Sequence, residues 1–320
     1  MANFKFQTKN DTYDFKRKLN KQLIVEDTIY NFPMVSFFQD NLVNDFVFAS
    51  GNNEGVIYKF SKKLKVIDTI KKQGPGPKEF QNPLVLNVLE NKIVFSDNGQ
   101  NSLKSYNRKT QEIKSLKSNA IFFQFSFLNG KIAYLSSSLT KDDNKKNGLL
   151  FRSLSLNDDL LENNLIGNDG YFSDSNINYA YQGEFCSNKS YSIFYPLYGG
   201  KLVVFNNNFK NFNLLTTVDE TDKAKAKKVS MSGYTTMKVN KENFIYIDAT
   251  LDKNNKLYLL NRVSDYRHNY VDIYNIPNKS YIQSYKLPLL ENQKPKNLVL
   301  IEKQLFILYS DYTLLKCQLP

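Results

Sequence analysis

Short apolar segments separated by polar turns recur along the chain and predict a repeat built from β-strands. The clearest unit has segments at 92–98, 102–107 and 111–116, the first with a continuous apolar run at 93–95 and the second alternating. The same order returns at 46–70, at 257–287 and, shortened, at 305–319. A unit of short strands that recurs at a period of roughly 40–50 residues is the sequence signature of a β-propeller blade.

The hydrophobic pattern also predicts where each strand lies within a blade. Strands that are buried on both faces lose their alternation, whereas strands at the rim keep it. Segments 65–70 and 281–286 alternate and are predicted to be outer strands. We place the second strands of the blades near Phe46, Ile93, Ile132, Ser192, Leu257 and Phe306. The sequence therefore predicts an all-β fold, a six-bladed β-propeller of four-stranded antiparallel blades.

The two ends of the chain predict how such a ring closes. The last unit has three strands, at 298–302, 305–310 and 313–318, and one strand precedes the first unit at 22–29. Pairing that N-terminal strand with the last blade would protect two sheet edges, which proteins otherwise have to cover. We expect residues 1–18 to be an N-terminal tether or lead-in, and residues 19–320 to be a single propeller domain.

The composition indicates a large hydrophobic core and argues against a nucleic-acid partner. The chain has 24 Phe and 21 Tyr, and its formal net charge is +12. Arg is the residue that reads bases and phosphates in bidentate fashion, and it is rare among the 43 basic residues. We therefore expect the positive charge to be spread over the surface, with no nucleic acid bound.

The cysteines and the apolar runs argue against a disulfide-rich or cysteine-metal protein and against a transmembrane helix. Cys186 and Cys317 are far apart and form neither a disulfide framework nor a metal-binding spacing, so we expect buried free thiols, with a single bridge between them left open. The apolar runs at 120–128 and 298–309 are too short or too interrupted to span a bilayer. The N-terminus has no signal-peptide pattern, so either the protein is cytosolic or a signal was removed.

One connector resembles a known family. Gly74-Pro-Gly-Pro-Lys-Glu-Phe80 is similar to the Gly-x-Gly-Pro-Gly-Glu-Phe/Tyr signature of the six-bladed β-propeller lipoproteins of Bacteroidetes (TolB-like and NHL-like), with Lys78 in place of the third glycine. The resemblance extends loosely over 22–320 and implies an exported, often lipid-anchored protein. From the residues alone the segment is a turn-rich connector, and it lacks the Lys-Ser/Thr ending of a P-loop.

Candidate chemistry is sparse. His268 is the one histidine, so no Ser-His-Asp or Cys-His group can be assigned and a histidine-rich metal centre is excluded. Asp45, Asp97, Asp248 and Asp252 lie near inner strands and could do acid–base or metal work, although such aspartates usually cap turns. We predict no catalytic residues, no metal and no cofactor, and we expect that the protein is not an enzyme.

The stronger predicted surface is aromatic. The insertion at 168–183 is rich in Gly, Asn, Ser and aromatic residues, which can stack on sugars or grip a peptide, or can simply fold the loop onto the blades. A second insertion, 219–230, has acids first and lysines later, which favours either a short helix or a charged loop. The predicted ligand-binding residues are Tyr171, Tyr179, Tyr181, Phe185, Tyr266, Arg267 and His268, with Phe172 in the same aromatic group.

Three hypotheses about function follow. The first is a monomeric, non-catalytic binding or scaffold propeller of the bacterial cell envelope, periplasmic or at the outer membrane or cell surface. It would recognise a glycan, a peptide or a partner protein through loops over the central channel. The alternative is a channel-metal-dependent hydrolase of the lactonase or esterase type. An intracellular interaction propeller is the third hypothesis.

Overall fold

The structure is a computed structural model, and the part of the chain that it describes is built from antiparallel β-sheets. The described residues are 17–19, 22–38, 45–51, 55–100, 102–116, 124–128, 131–137, 149–157, 160–167, 182–206, 209, 212–221, 226–231, 234–239, 245–262, 269–288, 290 and 293–319.

Five four-stranded sheets are each formed by consecutive strands of the described chain. Sheet 1 contains β2 (Val35–Phe38), β3 (Phe46–Gly51), β4 (Val56–Ser61) and β5 (Val66–Lys71). Sheet 2 contains β6 (Pro83–Val88), β7 (Lys92–Asp97), β8 (Ser102–Asn107) and β9 (Ile113–Leu116). Sheet 3 contains β10 (Phe125–Leu128), β11 (Lys131–Ser137), β12 (Leu149–Asn157) and β13 (Leu160–Gly167). Sheet 4 contains β14 (Gly183–Ser187), β15 (Tyr191–Pro196), β16 (Lys201–Asn206) and β17 (Phe212–Thr216). Sheet 5 contains β20 (Tyr246–Leu251), β21 (Lys256–Arg262), β22 (Asn269–Asn275) and β23 (Ser280–Lys286).

A further four-stranded sheet combines the two ends of the chain. Sheet 6 contains β24 (Pro295–Ile301), β25 (Gln304–Tyr309), β26 (Leu314–Gln318) and, beside β26, the N-terminal strand β1 (Ile24–Ile29). The pairing is antiparallel, with Val25 opposite Cys317 and Ile29 opposite Leu314. The strand predicted at 22–29 therefore forms and pairs with the last strand of the chain.

Hydrophobic clusters lie between neighbouring sheets. Phe48 packs with residues of sheet 2, whereas its neighbours Val47 and Ala49 pack with residues of sheet 6. The ring of Phe151 in sheet 3 contacts that of Phe194 in sheet 4, with centroids 5.5 Å apart. Burial on both faces explains why the predicted second strands are continuously apolar. Each of those strands occupies the second position in its sheet, and this stacking of sheets is the β-propeller fold.

The first strands of the sheets lie innermost. Contacts between β14 and β20, between β20 and β24, and between β2 and β24 bring first strands of neighbouring sheets together. The outer strands β1 and β5 are mostly exposed, as the alternating pattern of segment 65–70 predicts for β5. Side chains on the first strands therefore meet close to the axis of the fold, although they are far apart in sequence.

The Gly74–Phe80 connector is held by buried contacts. Phe80 is fully buried and its ring packs edge-on against Phe95, with centroids 5.2 Å apart. The buried Nζ of Lys104 donates to the backbone carbonyl of Glu79 and to Gln100 Oε1, which is 2.9 Å away. These contacts fit the interpretation of the segment as a structural connector between sheets 1 and 2.

The charge order of segment 219–230 favours a short helix or a charged loop, and its described residues, 219–221 and 226–230, contain no helix. Its second half is β18 (Ala226–Met231), which pairs in antiparallel register with β19 (Tyr234–Val239). The partner strand is rich in β-branched and aromatic residues, which favour a strand. Hairpin pairing therefore prevails over the weak preference that the order of charges gives to a helix.

Both cysteines are buried and free, as the sequence predicts. Burial raises the pKa of the Cys317 thiol to about 12, so the thiol is protonated at neutral pH. Across the described ranges, no helix is long and apolar enough to cross a membrane.

Candidate functional site

Two innermost strands and one second strand bring together a cluster of polar side chains. Glu184 lies on β14, Tyr195 on the adjacent strand β15, and Asp248 on β20 of the next sheet. Asp248 and Tyr195 are 8% and 1% exposed, whereas Glu184 keeps partial exposure. We call these three residues the axial acid cluster.

A β-bulge directs Asp248 into this cluster. The register of the β20–β21 pair shifts at Ile247. The carboxylate of the next residue, Asp248, accepts the N–H of Ala249 at 2.8 Å. Asp27 and Asp68 also follow bulges and accept the next N–H at 2.8 Å, but they lie on exposed outer strands. A bulge re-aims the following side chain, and on an innermost strand the same local structure points a carboxylate into the protein.

Tyr195 joins the two carboxyl groups. Its Oη lies 3.0 Å from Glu184 Oε2 and 3.0 Å from Asp248 Oδ1. A phenol has a single proton to donate. Both contacts are therefore hydrogen bonds only when one of the two carboxyl groups carries a proton and donates it to the phenol oxygen.

The backbone decides which carboxyl group carries that proton. Asp248 accepts two backbone N–H groups, from Ala249 at 2.8 Å and from Leu298 of sheet 6 at 2.6 Å. Backbone donors stabilise a carboxylate, so Asp248 is the charged member. Glu184 is then the acid: it donates to Tyr195, which donates to Asp248.

The pKa values agree with this assignment. Burial, followed by the charge of Asp248, raises the pKa of Glu184 to about 7. Burial raises the pKa of Asp248 to about 6 against the opposing effect of its backbone hydrogen bonds. The cluster therefore holds a carboxylic acid and a carboxylate side by side near neutral pH, which is an arrangement capable of proton transfer to a ligand that reaches Glu184.

The other predicted acids serve local structure. Asp97 is fully buried, accepts backbone N–H groups of Gln81, Asn82 and Gly99, and pairs with Lys104 at 3.3 Å. Asp252 accepts two N–H groups of its own turn, at 2.8 and 2.7 Å. Asp45 is exposed and pairs with Lys62 at 2.8 Å.

Most of the predicted ligand-binding residues lie outside the described residues. These are Tyr171, Tyr179, Tyr181, Tyr266, Arg267 and His268, and Phe172 of the same aromatic group. Phe185 is described and is 5% exposed. It packs against Phe194 with ring centroids 5.2 Å apart, and thus belongs to the core between sheets 3 and 4.

The sequence named one member of the axial acid cluster and missed two. Asp248 was one of four acids that the sequence placed near inner strands, and Glu184 lies beside the aromatic Phe185 in a segment with no other acid. Tyr195 carries no such signal, because tyrosine is common in the strands of this chain. An acid within a short apolar segment was therefore the signal available for Glu184.

Neither the protein-family models nor the curated proteins include a match to this chain. Solved structures do match. Virginiamycin B lyase from Staphylococcus aureus aligns with TM-score 0.53 and 11% identity, over 93% of this chain and 100% of that chain. A protein of Bacteroides fragilis NCTC 9343 described as exported aligns with TM-score 0.51 and 12% identity, over 90% and 87%. A chain of the nidogen–laminin complex aligns with TM-score 0.50 and 8% identity, over 80% and 81%. Identities this low establish the fold alone, and by fold this chain is a β-propeller protein.

Proposed function

We propose that this chain is a non-catalytic binding module of the bacterial cell envelope. It recognises a glycan, a peptide or a partner protein through loops over the central channel. The observation that carries the proposal is the use of three candidate catalytic acids, Asp45, Asp97 and Asp252, as partners of lysines and backbone N–H groups. Acids so engaged are structural, and binding residues lie disproportionately on loops that a rigid scaffold positions.

The proposal includes a closed, six-bladed ring made by residues 19–320, with 1–18 as the lead-in. Its support is the pairing of β1 with β26 and the hydrophobic cluster between sheets 6 and 1. Because Val25 lies opposite Cys317, a Val25→Cys variant should form a disulfide with Cys317 on mild oxidation, seen by peptide mapping. Ile24→Cys, whose side chain faces the other side of the strand, is the matched control. Failure of Val25→Cys to cross-link would refute the closure.

The proposed recognition surface consists of the aromatic insertion and the turn of sheet 5. Its contact residues are Tyr171, Tyr179, Tyr181, Tyr266, Arg267 and His268. Aromatic side chains offer a large apolar area with little loss of conformational freedom, which suits sugars and peptides alike. Phe185 supports this surface from the core and does not contact the ligand.

An envelope location is supported by the resemblance of the Gly74–Phe80 connector and by the structural likeness to an exported Bacteroides fragilis protein. The nidogen–laminin complex is an example of a propeller-like chain in a protein complex. Neither likeness identifies a ligand. The proposal therefore requires a direct binding test.

The test is a glycan and peptide array, combined with cross-linking and co-purification from bacterial envelopes. Tyr171→Ala with Tyr179→Ala should reduce binding of any hit at least tenfold. Tyr30→Ala is the matched control, because Tyr30 is 71% exposed and lies away from the insertion in sequence. The proposal is wrong if no array ligand and no envelope partner is found. It is also wrong if the protein with Tyr171→Ala and Tyr179→Ala binds the ligand as tightly as the wild type and the Tyr30→Ala control do.

A hydrolase or another enzyme remains the second candidate because of the axial acid cluster. Glu184 and Asp248 supply an acid and a base joined through Tyr195, and virginiamycin B lyase shares the fold. Among the described residues, no group of three or more His, Cys, Asp or Glu side chains is arranged to hold a metal ion. Turnover of a lactone and ester panel that is lost in Glu184→Gln, together with elemental analysis, would favour this candidate over the binding module.

A further inference from the structure

The N-terminal segment places a buried arginine in sheet 5. Leu19 forms a parallel bridge with Ser284 of β23, and the N–H of Ser284 donates to the carbonyl of Lys18 at 3.0 Å. The segment thus runs along the outer edge of the sheet. Arg17 is only 5% exposed, although it belongs to the predicted lead-in.

The guanidinium of Arg17 occupies a matching pocket. Its Nε and Nη2 donate to the two carboxylate oxygens of Asp272, both at 3.1 Å, and Nη2 also donates to Asp219 Oδ1 at 2.5 Å. The guanidinium carbon lies 5.0 Å from the centroid of the Tyr270 ring. Bidentate pairing with a carboxylate and stacking on an aromatic face are the two contacts that distinguish arginine from lysine. We call Asp219, Asn261, Tyr270, Asp272 and Ser284 the arginine pocket.

Contacts among its own residues orient the pocket. The amide of Asn261 donates to Asp272 Oδ2 at 2.8 Å and to Asp219 Oδ2 at 3.1 Å, and Ser284 Oγ donates to Asp272 Oδ1. All three of Asn261, Asp272 and Ser284 lie on strands of sheet 5 and are fully buried. The pocket walls therefore do not depend on the N-terminal segment for their position.

The turn that carries Asp219 is held from sheets 4 and 5. Thr217 donates its N–H to the carbonyl of Gly200 at 2.8 Å, and Gly200 donates its N–H to the carbonyl of Thr221 at 2.9 Å. The N–H of Val218 donates to the hydroxyl of Tyr274 at 3.0 Å. A side chain at Gly200 would come within 2.6 Å of the backbone nitrogen of Thr221, so the close approach requires glycine.

Backbone contacts of Lys18 and Leu19 accompany the guanidinium contacts in the described residues 17–19. Lys18 contributes its carbonyl to Ser284 and its N–H to the hydroxyl of Tyr281 at 3.0 Å. Leu19 is 47% exposed and so adds little burial. The oxygen of the buried Asn261 amide has no hydrogen-bond partner among the described residues, so the pocket also offers an acceptor that Arg17 leaves unused.

We propose that the arginine pocket is a binding site for an arginine side chain of an extended peptide, which Arg17 fills in cis and which an arginine of another chain can fill in its place. The incoming peptide would lie along β23, as residues 17–19 do, and add to the sheet edge. The pocket holds the two carboxylates of Asp219 and Asp272, whereas Arg17 supplies a single positive charge. The remaining negative charge favours a cationic peptide. The peptide would pair with β23, which is the outer strand of sheet 5.

Chemical rescue tests the proposal on the full chain. Arg17→Ala empties the pocket, and its thermal stability is measured with N-acetyl-arginine amide, with methylguanidinium, and with N-acetyl-lysine amide as the matched control. The arginine and guanidinium probes should raise Tm of the variant saturably, by about 5 °C at high occupancy. Lysine amide should not, and the wild type should not respond. Adding Asp272→Asn to the variant should abolish the rescue.

A fluorescent peptide of residues 12–22 provides the second measurement. It should bind Arg17→Ala at least tenfold more tightly than the wild type, and a version with lysine in place of its arginine should bind more weakly. Should Arg17→Ala fail to fold, the same assays are made on Arg17→Lys, which keeps the positive charge. Absence of rescue together with equal peptide binding to variant and wild type would show that Arg17 is only a structural contact, and would overturn the proposal.

Discussion

Replacing Glu184 with glutamine should remove a pH-dependent weakness of the fold. In the axial acid cluster Glu184 donates to Tyr195, and Tyr195 donates to Asp248. When Glu184 ionises, the cluster contains two carboxylates and a single phenol proton, so one contact becomes repulsive. A glutamine amide has the size of the acid and keeps a donor toward Tyr195 at every pH.

The magnitude follows from the pKa of Glu184. Its pKa rises from the usual 4.5 to about 7 in the fold, so between these pH values the folded protein holds a proton that the unfolded chain has lost. The free energy of unfolding then falls as pH rises, by about 1.4 kcal/mol for each pH unit. The contribution is present below pH 4.5 and is lost above pH 7, a total of about 3 kcal/mol.

The assay is urea unfolding of the wild type and Glu184→Gln at pH 5, 6, 7 and 8, followed by circular dichroism. The difference in unfolding free energy between the two proteins should shift in favour of glutamine by about 3 kcal/mol from low to high pH. Glu112→Gln is the control, because Glu112 is exposed, and it should follow the wild type. Parallel pH profiles for Glu184→Gln and wild type would refute the shared-proton arrangement.

Three further substitutions test the packing of the sheets by the same unfolding assay. Phe80→Ala removes a fully buried ring from the core beside sheet 2, so the free energy of unfolding should fall by about 3–5 kcal/mol. A decrease below about 1 kcal/mol would mean that Phe80 does not anchor the connector. Lys104→Met leaves the buried carboxylate of Asp97 without its cation and should lower the free energy of unfolding by about 3–5 kcal/mol. Lys62→Met, at an exposed ion pair, is the control and should not change it measurably. Equal effects of the two substitutions would contradict this reasoning. Gly200→Ala places a carbon 2.6 Å from the backbone nitrogen of Thr221 and should lower Tm, and an unchanged Tm would show that the turn can shift freely.

The two polar clusters differ in what they contribute. The axial acid cluster joins sheets 4, 5 and 6 through Tyr195, Asp248 and the backbone of Leu298. The arginine pocket joins the N-terminal segment to sheet 5 and to the turn after sheet 4. Both place charges where water is excluded, so the removal of a single partner is costly while the complete set is tolerated. We expect that these buried polar residues specify which sheets pack together more than they add to stability.

Local pattern was enough to predict many of the strands. The continuous apolar runs at 46–49 and 257–260 became second strands, and the alternating segment at 65–70 became an outer strand. Burial on one or both faces leaves a direct trace in the order of residues, because side chains of a strand alternate between its two faces. The pairing of the N-terminal strand with the last strand also followed, since each was a strand that lacked a neighbour.

Contacts between distant residues required the tertiary structure. Tyr195 meets a carboxylate 53 positions away, and Arg17 meets one 255 positions away, and neither distance leaves a periodic signal. The order of charges in 219–230 favoured a short helix or a charged loop, yet β18 pairs with β19 there because a suitable partner strand follows. What the sequence alone determined is the repeat of strands, because burial is periodic and local. Which acid keeps its proton and where Arg17 lies were decided only by packing, because pKa and ion pairing depend on neighbours that the fold brings from other sheets.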